Sequence, residues 1–173
     1  MNEGEAHERT GWIRDALARF EGRLLRYAIR LTGNAESGRD AVQETFLKLC
    51  DQQPEQIDGH LEPWLFTVCR RRAIDVAQRE NRMLTLTDSS TPEQMALEPA
   101  VDVSPERALA QRETNTELAR LLVQLSTNKQ EVIRLKFQEG MSYRQISEVT
   151  GLTVGNVGYL LHTALAELRE QME

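Results

Sequence analysis

The 173-residue chain has little cysteine, few aromatic residues and no long apolar run. Its two cysteines, Cys50 and Cys69, do not have the spacing of a metal-binding or redox motif, so we expect reduced, buried thiols. No apolar segment approaches the roughly 18 residues that a membrane-spanning helix needs. The polar, acidic start, MNEGEAHERTGW, does not resemble a signal peptide. We therefore predict a cytoplasmic protein without a membrane span.

The sequence also lacks the residue patterns of a catalytic centre. It contains no Ser/His/Asp set, no glycine-rich phosphate loop and no cluster of metal ligands, and its histidines, His7, His60 and His162, are isolated. We predict no catalytic residue, no metal and no cofactor, and hence a protein that is not an enzyme. The net charge of −6 means that any contact with nucleic acid must be local or supported by a partner.

Helix-forming residues dominate the chain, and its first part shows helical periodicity. Apolar residues at spacings of three and four predict an amphipathic helix over residues 12–31. Gly33 and Asn34 would end it, and Asn34 or Ser37 can cap a second helix that runs to about Cys50.

The second helix has two distinct faces. Val42, Phe46 and Leu49 lie along one face and should enter the core. The other face carries residues at positions i, i+3, i+4 and i+7, namely Asp40, Gln43, Glu44 and Leu47. This second face is either a solvated helix side or an acidic docking surface for a basic partner helix.

A polar connector over residues 51–62 precedes the most basic helix, in which Pro63 suits the first turn. The basic residues are Arg70, Arg71, Arg72, Arg79 and Arg82. They form either a solvent-facing charge run or a phosphate-binding face. Trp64 and Phe66 in the same helix either pack in the core or stack on bases of an opened strand.

Residues 84–103 carry four acidic residues, two prolines and no basic residue, and show no periodicity. This composition predicts an extended acidic linker. Ser104, Pro105 and Glu106 then form a strong helix start. We thus predict an all-α protein with two small helical domains, residues 1–83 and 104–173, joined by the linker 84–103.

The second domain should contain four helices. Leucines at positions 118, 121, 122 and 125 predict a core stripe, and Gly140 should end a helix over residues 129–139. Ser142 and Gln145 then form a capping box, and Gly151 can adopt the positive φ of a tight turn. Thr153 can cap the last helix, whose apolar residues are Val157, Leu160, Leu161, Ala164, Leu165 and Leu168. This is a helix-turn-helix pattern; the alternative is a helical hairpin that only packs.

Three segments in the right order resemble an extracytoplasmic-function (ECF, group IV) sigma factor of bacterial RNA polymerase. The segment 40–49, DAVQETFLKL, is similar to region 2.2, and 63–75, PWLFTVCRRRAID, is similar to regions 2.3–2.4. Residues 131–168 resemble region 4 with its helix-turn-helix. The resemblance covers nearly the full chain.

The resemblance implies a promoter-recognition subunit whose partners are core RNA polymerase, promoter DNA and, commonly, an anti-sigma factor. Region 2.2 would grip the β′ clamp helices through Asp40, Gln43, Glu44 and Leu47, and region 4 would reach the β flap. The −10 element would be bound by Trp64, Arg70, Arg71, Arg72, Arg79 and Arg82. The −35 element would be read by Arg144, Thr153, Asn156, Tyr159 and His162.

The predicted reading helix is unusually poor in positive charge. From Ser142 to Glu170 there are two arginines against three glutamates, so the electrostatic contribution to DNA affinity should be small. Two other classes therefore stay open. One is a regulator that binds duplex DNA by itself, and the other is a protein-interaction module.

Overall fold

The computed structural model describes residues 3–57, 59–84 and 118–172, and all regular elements in these ranges are α-helices. The chain divides into two compact units, Met1–Leu97 and Glu98–Glu173. The first unit contains α1 (Glu3–Thr32), α2 (Ala35–Cys50), α3 (Pro54–Ile57) and α4 (Leu61–Leu84). The second contains α5 (118–124), α6 (Thr127–Phe137), α7 (Tyr143–Thr150) and α8 (Val154–Met172). The predicted linker beyond residue 84 and the helix start at Ser104 lie outside the described residues.

The turn between α1 and α2 has the predicted caps. Gly33 has a φ of +71°, which favours glycine, and the Asn34 side chain accepts hydrogen bonds from the backbone N–H groups of Glu36 and Ser37. α1 begins at Glu3 rather than near Trp12, because the intervening Glu, Ala and Arg residues are good helix formers. Arg9 in this extension donates a hydrogen bond to the carbonyl oxygen of Cys50.

The core of the first unit lies between α1, α2 and α4. The buried residues on α2 include the predicted Val42, Phe46 and Leu49. Phe66 on α4 is fully buried and its ring lies 5.2 Å from that of Tyr27. Phe66 is therefore a core residue, and of the two aromatic candidates for strand stacking only the half-buried Trp64 keeps an accessible surface.

The two cysteines differ in environment. Cys69 is fully buried, and burial raises the pKa of its thiol to about 12, partly offset by a hydrogen bond with Thr45. The prediction of burial was wrong for Cys50, which is exposed at the last position of α2, one residue past the buried Leu49. At about 100° per residue, Cys50 lies about 40° beyond Phe46, the outermost buried residue on that side of α2, so it falls outside the buried face.

The described helices α6, α7 and α8 pack around a second core that includes Val132, Leu135, Ile146 and Leu161. The expected leucine stripe around α5 is wrong in part. Leu125, just past the end of α5, is buried, but Leu118 at its start is 41% exposed. Among these four leucines, burial therefore increases from Leu118 toward Leu125.

One apolar residue on α8 was also assigned wrongly. Val157, Leu161, Ala164 and Leu168 form the buried stripe, whereas Leu165 is 42% exposed. At about 100° per residue, Leu165 lies roughly 70° from the centre of this stripe, so it falls at its edge.

Candidate nucleic-acid and partner interfaces

The outer face of α2 presents polar side chains around one apolar residue. Asp40, Gln43 and Leu47 are exposed, and Leu47 has 59% of its surface accessible. Glu44, the fourth residue of the predicted docking set, is half-buried. We call these four residues the α2 outer face. A single exposed leucine is common on protein surfaces, but Leu47 also lines an adjoining apolar groove, and a continuous apolar patch rimmed by polar groups suits a contact with another protein.

An apolar groove between α1 and α2 adjoins the α2 outer face. Its apolar lining comes from Ile13, Leu17 and Leu25 of α1 and from Val42, Phe46 and Leu47 of α2. The groove has a volume of about 530 Å³, enough to receive several side chains of a partner. Sequence periodicity missed it because these residues had the spacing of a core stripe.

The arginines of α4 do not share one face. At about 100° per residue, Arg71, Asp75 and Arg82 lie within about 40° of one another around the helix axis, and all three are exposed. Arg79 is exposed beside them, whereas Arg70 lies about 100° from Arg71 on the other side and is half-buried. Of the five arginines, only Arg71, Arg79 and Arg82 therefore form an exposed group, which we call the outward group, and Arg70 lies apart from it.

Arg72 is turned toward α2. Its Nε lies 2.9 Å from Oε2 of Glu44, so a predicted DNA-binding residue and a predicted docking residue form an ion pair. The geometry is that of an ion pair without an aligned hydrogen bond, since the buried Nε has no hydrogen-bond partner. Sequence spacing could not indicate this pair, because the two residues are on different helices.

Side-chain hydrogen bonds fix the turn between α7 and α8. Ser142 and Gln145 form the predicted capping box at the start of α7, and Gly151 adopts a φ of +76° at its end. The Ser147 hydroxyl donates to the carbonyl oxygen of Leu152 at 2.6 Å. Thr153 Oγ1 accepts a 3.2 Å hydrogen bond from the backbone N–H of Asn156, so this threonine caps α8 as predicted. The helix-turn-helix is therefore geometrically defined.

The candidate reading residues lie on the accessible side of α8. Thr153, Asn156 and His162 are exposed, and Tyr159 is 65% exposed. Arg144 on α7 has 88% of its side chain exposed and lies 3.7 Å from Glu148, so it is only loosely paired.

Lys136 is a further cation beside the turn that the sequence patterns did not single out. Its Nζ donates to the carbonyl oxygen of Met141 at 3.2 Å and lies 5.4 Å from the centre of the Tyr143 ring. The same ring packs next to Gly158 of α8, where an added Cβ would approach Tyr143 Cε2 to 3.6 Å. Lys136 belongs to the preceding helix, and only the folded chain places it near the helix-turn-helix.

In the ranges that the structure covers, no helix combines the length and the apolar character that crossing a membrane requires.

Two family descriptions match this chain, "Sigma-70 region 2" at residues 17–83 and "Sigma-70, region 4" at residues 115–168. The ECF RNA polymerase sigma factor SigL of Mycobacterium tuberculosis is 38% identical over 152 residues, which cover 84% of this chain and 80% of that protein. The RNA polymerase sigma factor YlaC of Bacillus subtilis is 27% identical over 162 residues, 92% of this chain and 91% of that protein.

Solved structures show the same fold at lower identity. The sigma factor RpoE of Bartonella quintana, in complex with the anti-sigma factor NepR, has a TM-score of 0.71 at 24% identity and covers 92% of this chain and 95% of its own. CnrH, in complex with the cytosolic domain of CnrY, has a TM-score of 0.59 at 22% identity and covers 97% of this chain and 94% of its own. The match to region 2 precedes the match to region 4 along the chain, which is the order of the resembling segments in the sequence, and the similarity to SigL covers most of both. The chain therefore belongs to the ECF RNA polymerase sigma factors.

Proposed function

We propose that this sigma factor binds core RNA polymerase chiefly through the α2 outer face and binds promoter DNA through α4 and α8. The polymerase carries out RNA synthesis, and the sigma factor supplies the choice of promoter. The proposal assigns residues 1–83 to docking and the −10 element, 84–103 to a linker, and 104–173 to the −35 element. Such a protein works where the chromosome is, so we expect a cytoplasmic location.

The observation that carries the docking proposal is the exposure of Leu47 within an acidic and polar face. A leucine with 59% accessible surface is a candidate anchor for a partner side chain. Asp40 and Glu44 would attract a basic partner helix and orient it. From the resemblance to region 2.2 we assign the partner helix to the β′ clamp helices, and from that to region 4 we assign the second unit to the β flap.

For the −10 element we assign the outward group on α4. Arg71, Arg79 and Arg82 are exposed cations that can neutralise phosphates, and Trp64 offers part of an aromatic surface for stacking on a base. Arg70 and Arg72 are half-buried at the two edges of the buried side of the helix. Either side chain would have to leave its present contacts before it could bind a DNA phosphate. This division follows from where the folded helix directs each side chain.

For the −35 element we assign the first turns of α8. The Asn156 amide can pair bidentately with adenine, and Thr153 can contact a phosphate or a thymine methyl group. Tyr159 and His162 extend the same exposed side of the helix. Arg144 supplies the nearest predicted phosphate contact.

An anti-sigma factor is a further proposed partner. The solved structures of RpoE and CnrH described above contain NepR and CnrY, and we extend that class of partner to this chain. Membership of the ECF family favours the sigma-factor function over the self-sufficient regulator and the protein-interaction module.

The docking proposal is tested by binding of purified core polymerase to charge variants of the full chain. Glu44→Arg should weaken the affinity by roughly five- to 150-fold, because removing a central interface contact typically costs about 1–3 kcal/mol. Leu47→Ala should weaken it to a similar degree without disturbing the hydrophobic core, because Leu47 is exposed.

Glu55→Arg is the matched control. Glu55 is exposed on α3, so this substitution makes the same change of charge at a position outside the α2 outer face. Far-UV circular dichroism should be unchanged in all variants. Wild-type affinity for core polymerase in both Glu44→Arg and Leu47→Ala would refute the assignment of this face.

A further inference from the structure

Glu44 and Arg72 connect the α2 outer face with the basic helix α4. Their side chains are 47% and 32% exposed, and the charged atoms approach to 2.9 Å. Arg72 Nε itself is buried, so its other neighbours are protein rather than water. The Glu44 carboxylate therefore offsets the charge of Arg72 in the free protein.

Two exposed arginines of α4 lack such a partner. Within the described ranges Arg71 and Arg79 form no ion pair, and both are exposed. The neighbouring acid Asp40, one helical turn before Glu44, also forms none in these ranges. The contact is thus specific to one acid of the docking face and one base of the DNA-binding helix.

We propose that the Glu44–Arg72 ion pair is an autoinhibitory contact that core polymerase relieves. This inference rests on the proposed docking function of the α2 outer face. A basic group of the polymerase that pairs with Glu44 competes with Arg72 for the same carboxylate. Arg72 is then released with an uncompensated positive charge, which can bind a phosphate of the promoter strand.

The size of the effect follows from the exposure of the pair. Partly exposed ion pairs are weak and screened by salt, so release of Arg72 should change DNA affinity by only about two- to fivefold. The contact therefore adjusts the balance between the free and polymerase-bound states. It also links the two proposed sites without any change in the backbone.

The first test measures binding of the full chain, without polymerase, to a fluorescent single-stranded oligothymidylate at low salt. Glu44→Gln should tighten binding about two- to fivefold. Asp40→Asn removes the same charge from the same face and should give a clearly smaller gain. When Arg72 is also replaced by Gln, Glu44→Gln should increase the affinity for oligothymidylate no more than Asp40→Asn does. Equal gains from Glu44→Gln and Asp40→Asn, or a gain that persists without Arg72, would overturn the autoinhibitory contact.

The second test examines release by polymerase. Arg72→Gln should weaken oligothymidylate binding of the free chain less than Arg71→Gln does, because Arg72 is already neutralised. In holoenzyme, the two substitutions should reduce open-complex formation on a transcribed promoter fragment to similar extents. An Arg72 effect that is equally small in both states would overturn the release step.

Failure of the proposed function has a different signature. If wild-type protein does not bind core polymerase, the docking proposal is wrong, whereas the oligothymidylate comparison still decides whether Glu44 restrains Arg72.

Discussion

Gly38 of α2 lies directly against α1, where a side chain has no room. A Cβ added at this position would lie 2.6 Å from Cγ1 of Ile29 and 3.0 Å from its backbone nitrogen. The second distance matters more, because a backbone atom moves less easily than the end of a side chain. The absence of a side chain at Gly38 therefore sets how closely the two helices approach.

Gly38→Ala should destabilise the protein by about 1–3 kcal/mol, since overpacking outweighs the higher helix propensity of alanine. Gly22→Ala is the matched control, because its Cβ would meet only the guanidinium of Arg26 at an ordinary 3.6 Å. That control should stabilise the helix by up to about 1 kcal/mol. Chemical denaturation of the full chain measures both. Equal stabilities of the two variants would contradict the close approach.

Single residues also show which features the sequence could predict. The caps at Asn34, Ser142 and Thr153 were correct because a cap depends on bonds between residues two or three positions apart. The exposure of Cys50 and Leu165 was missed because both lie at an edge of an apolar stripe, where packing against other helices decides burial.

The candidate interfaces show the same difference between features that one helix determines and features that depend on packing between helices. Periodicity correctly separated the core face of α2 from its outer face, since both are properties of one helix. The Glu44–Arg72 pair and the position of Lys136 beside Tyr143 join different elements, so no local pattern contains them. The residue roles in polymerase and DNA binding stay predictions.

At the scale of the element, the proposed reading helix α8 has little positive charge with which to bind DNA. Its first turns carry Asn156 and Tyr159 on the exposed side, and the only arginine in the helix is Arg169 in the last turn. Discrimination must then come from hydrogen bonds and apolar contacts with base edges.

Asn156→Ala should cost about 1–3 kcal/mol of discrimination at one −35 position, whereas Arg144→Ala should weaken all promoters alike and lower the salt slope by about one. Asn156 is a better probe than Thr153, whose hydroxyl caps α8 and whose loss would also destabilise the helix. Transcription from promoter variants by reconstituted holoenzyme measures both effects. Unchanged −35 preferences in Asn156→Ala would mean that α8 is not the reader.

At the scale of the whole molecule, the sequence predicts two independently folded domains on either side of an acidic linker. The linker has no lysine or arginine between Arg82 and Arg107, so trypsin has no site in it. A glutamate-specific protease can cut there after Glu93, whereas Pro99 disfavours cleavage after Glu98.

Limited digestion of the full chain with that protease should therefore begin at Glu93 and leave two helical fragments, as judged by mass spectrometry and circular dichroism. The physical reason is that a segment without periodic apolar residues should make few contacts that protect it. Initial cleavage at Glu21 or Glu170, within α1 or α8, would contradict the predicted boundaries.

DNA binding by α4 and α8, the two helices assigned to the promoter, should depend on polymerase, which would hold both units near the promoter and raise their effective concentration. The decisive measurement is run-off transcription by purified core polymerase on genomic fragments, with and without this protein. We expect discrete transcripts from a small set of fragments only when the protein is present, and loss of those transcripts with Glu44→Arg. A protein that adds no transcript, yet binds duplex fragments tightly without polymerase, would contradict the assigned role.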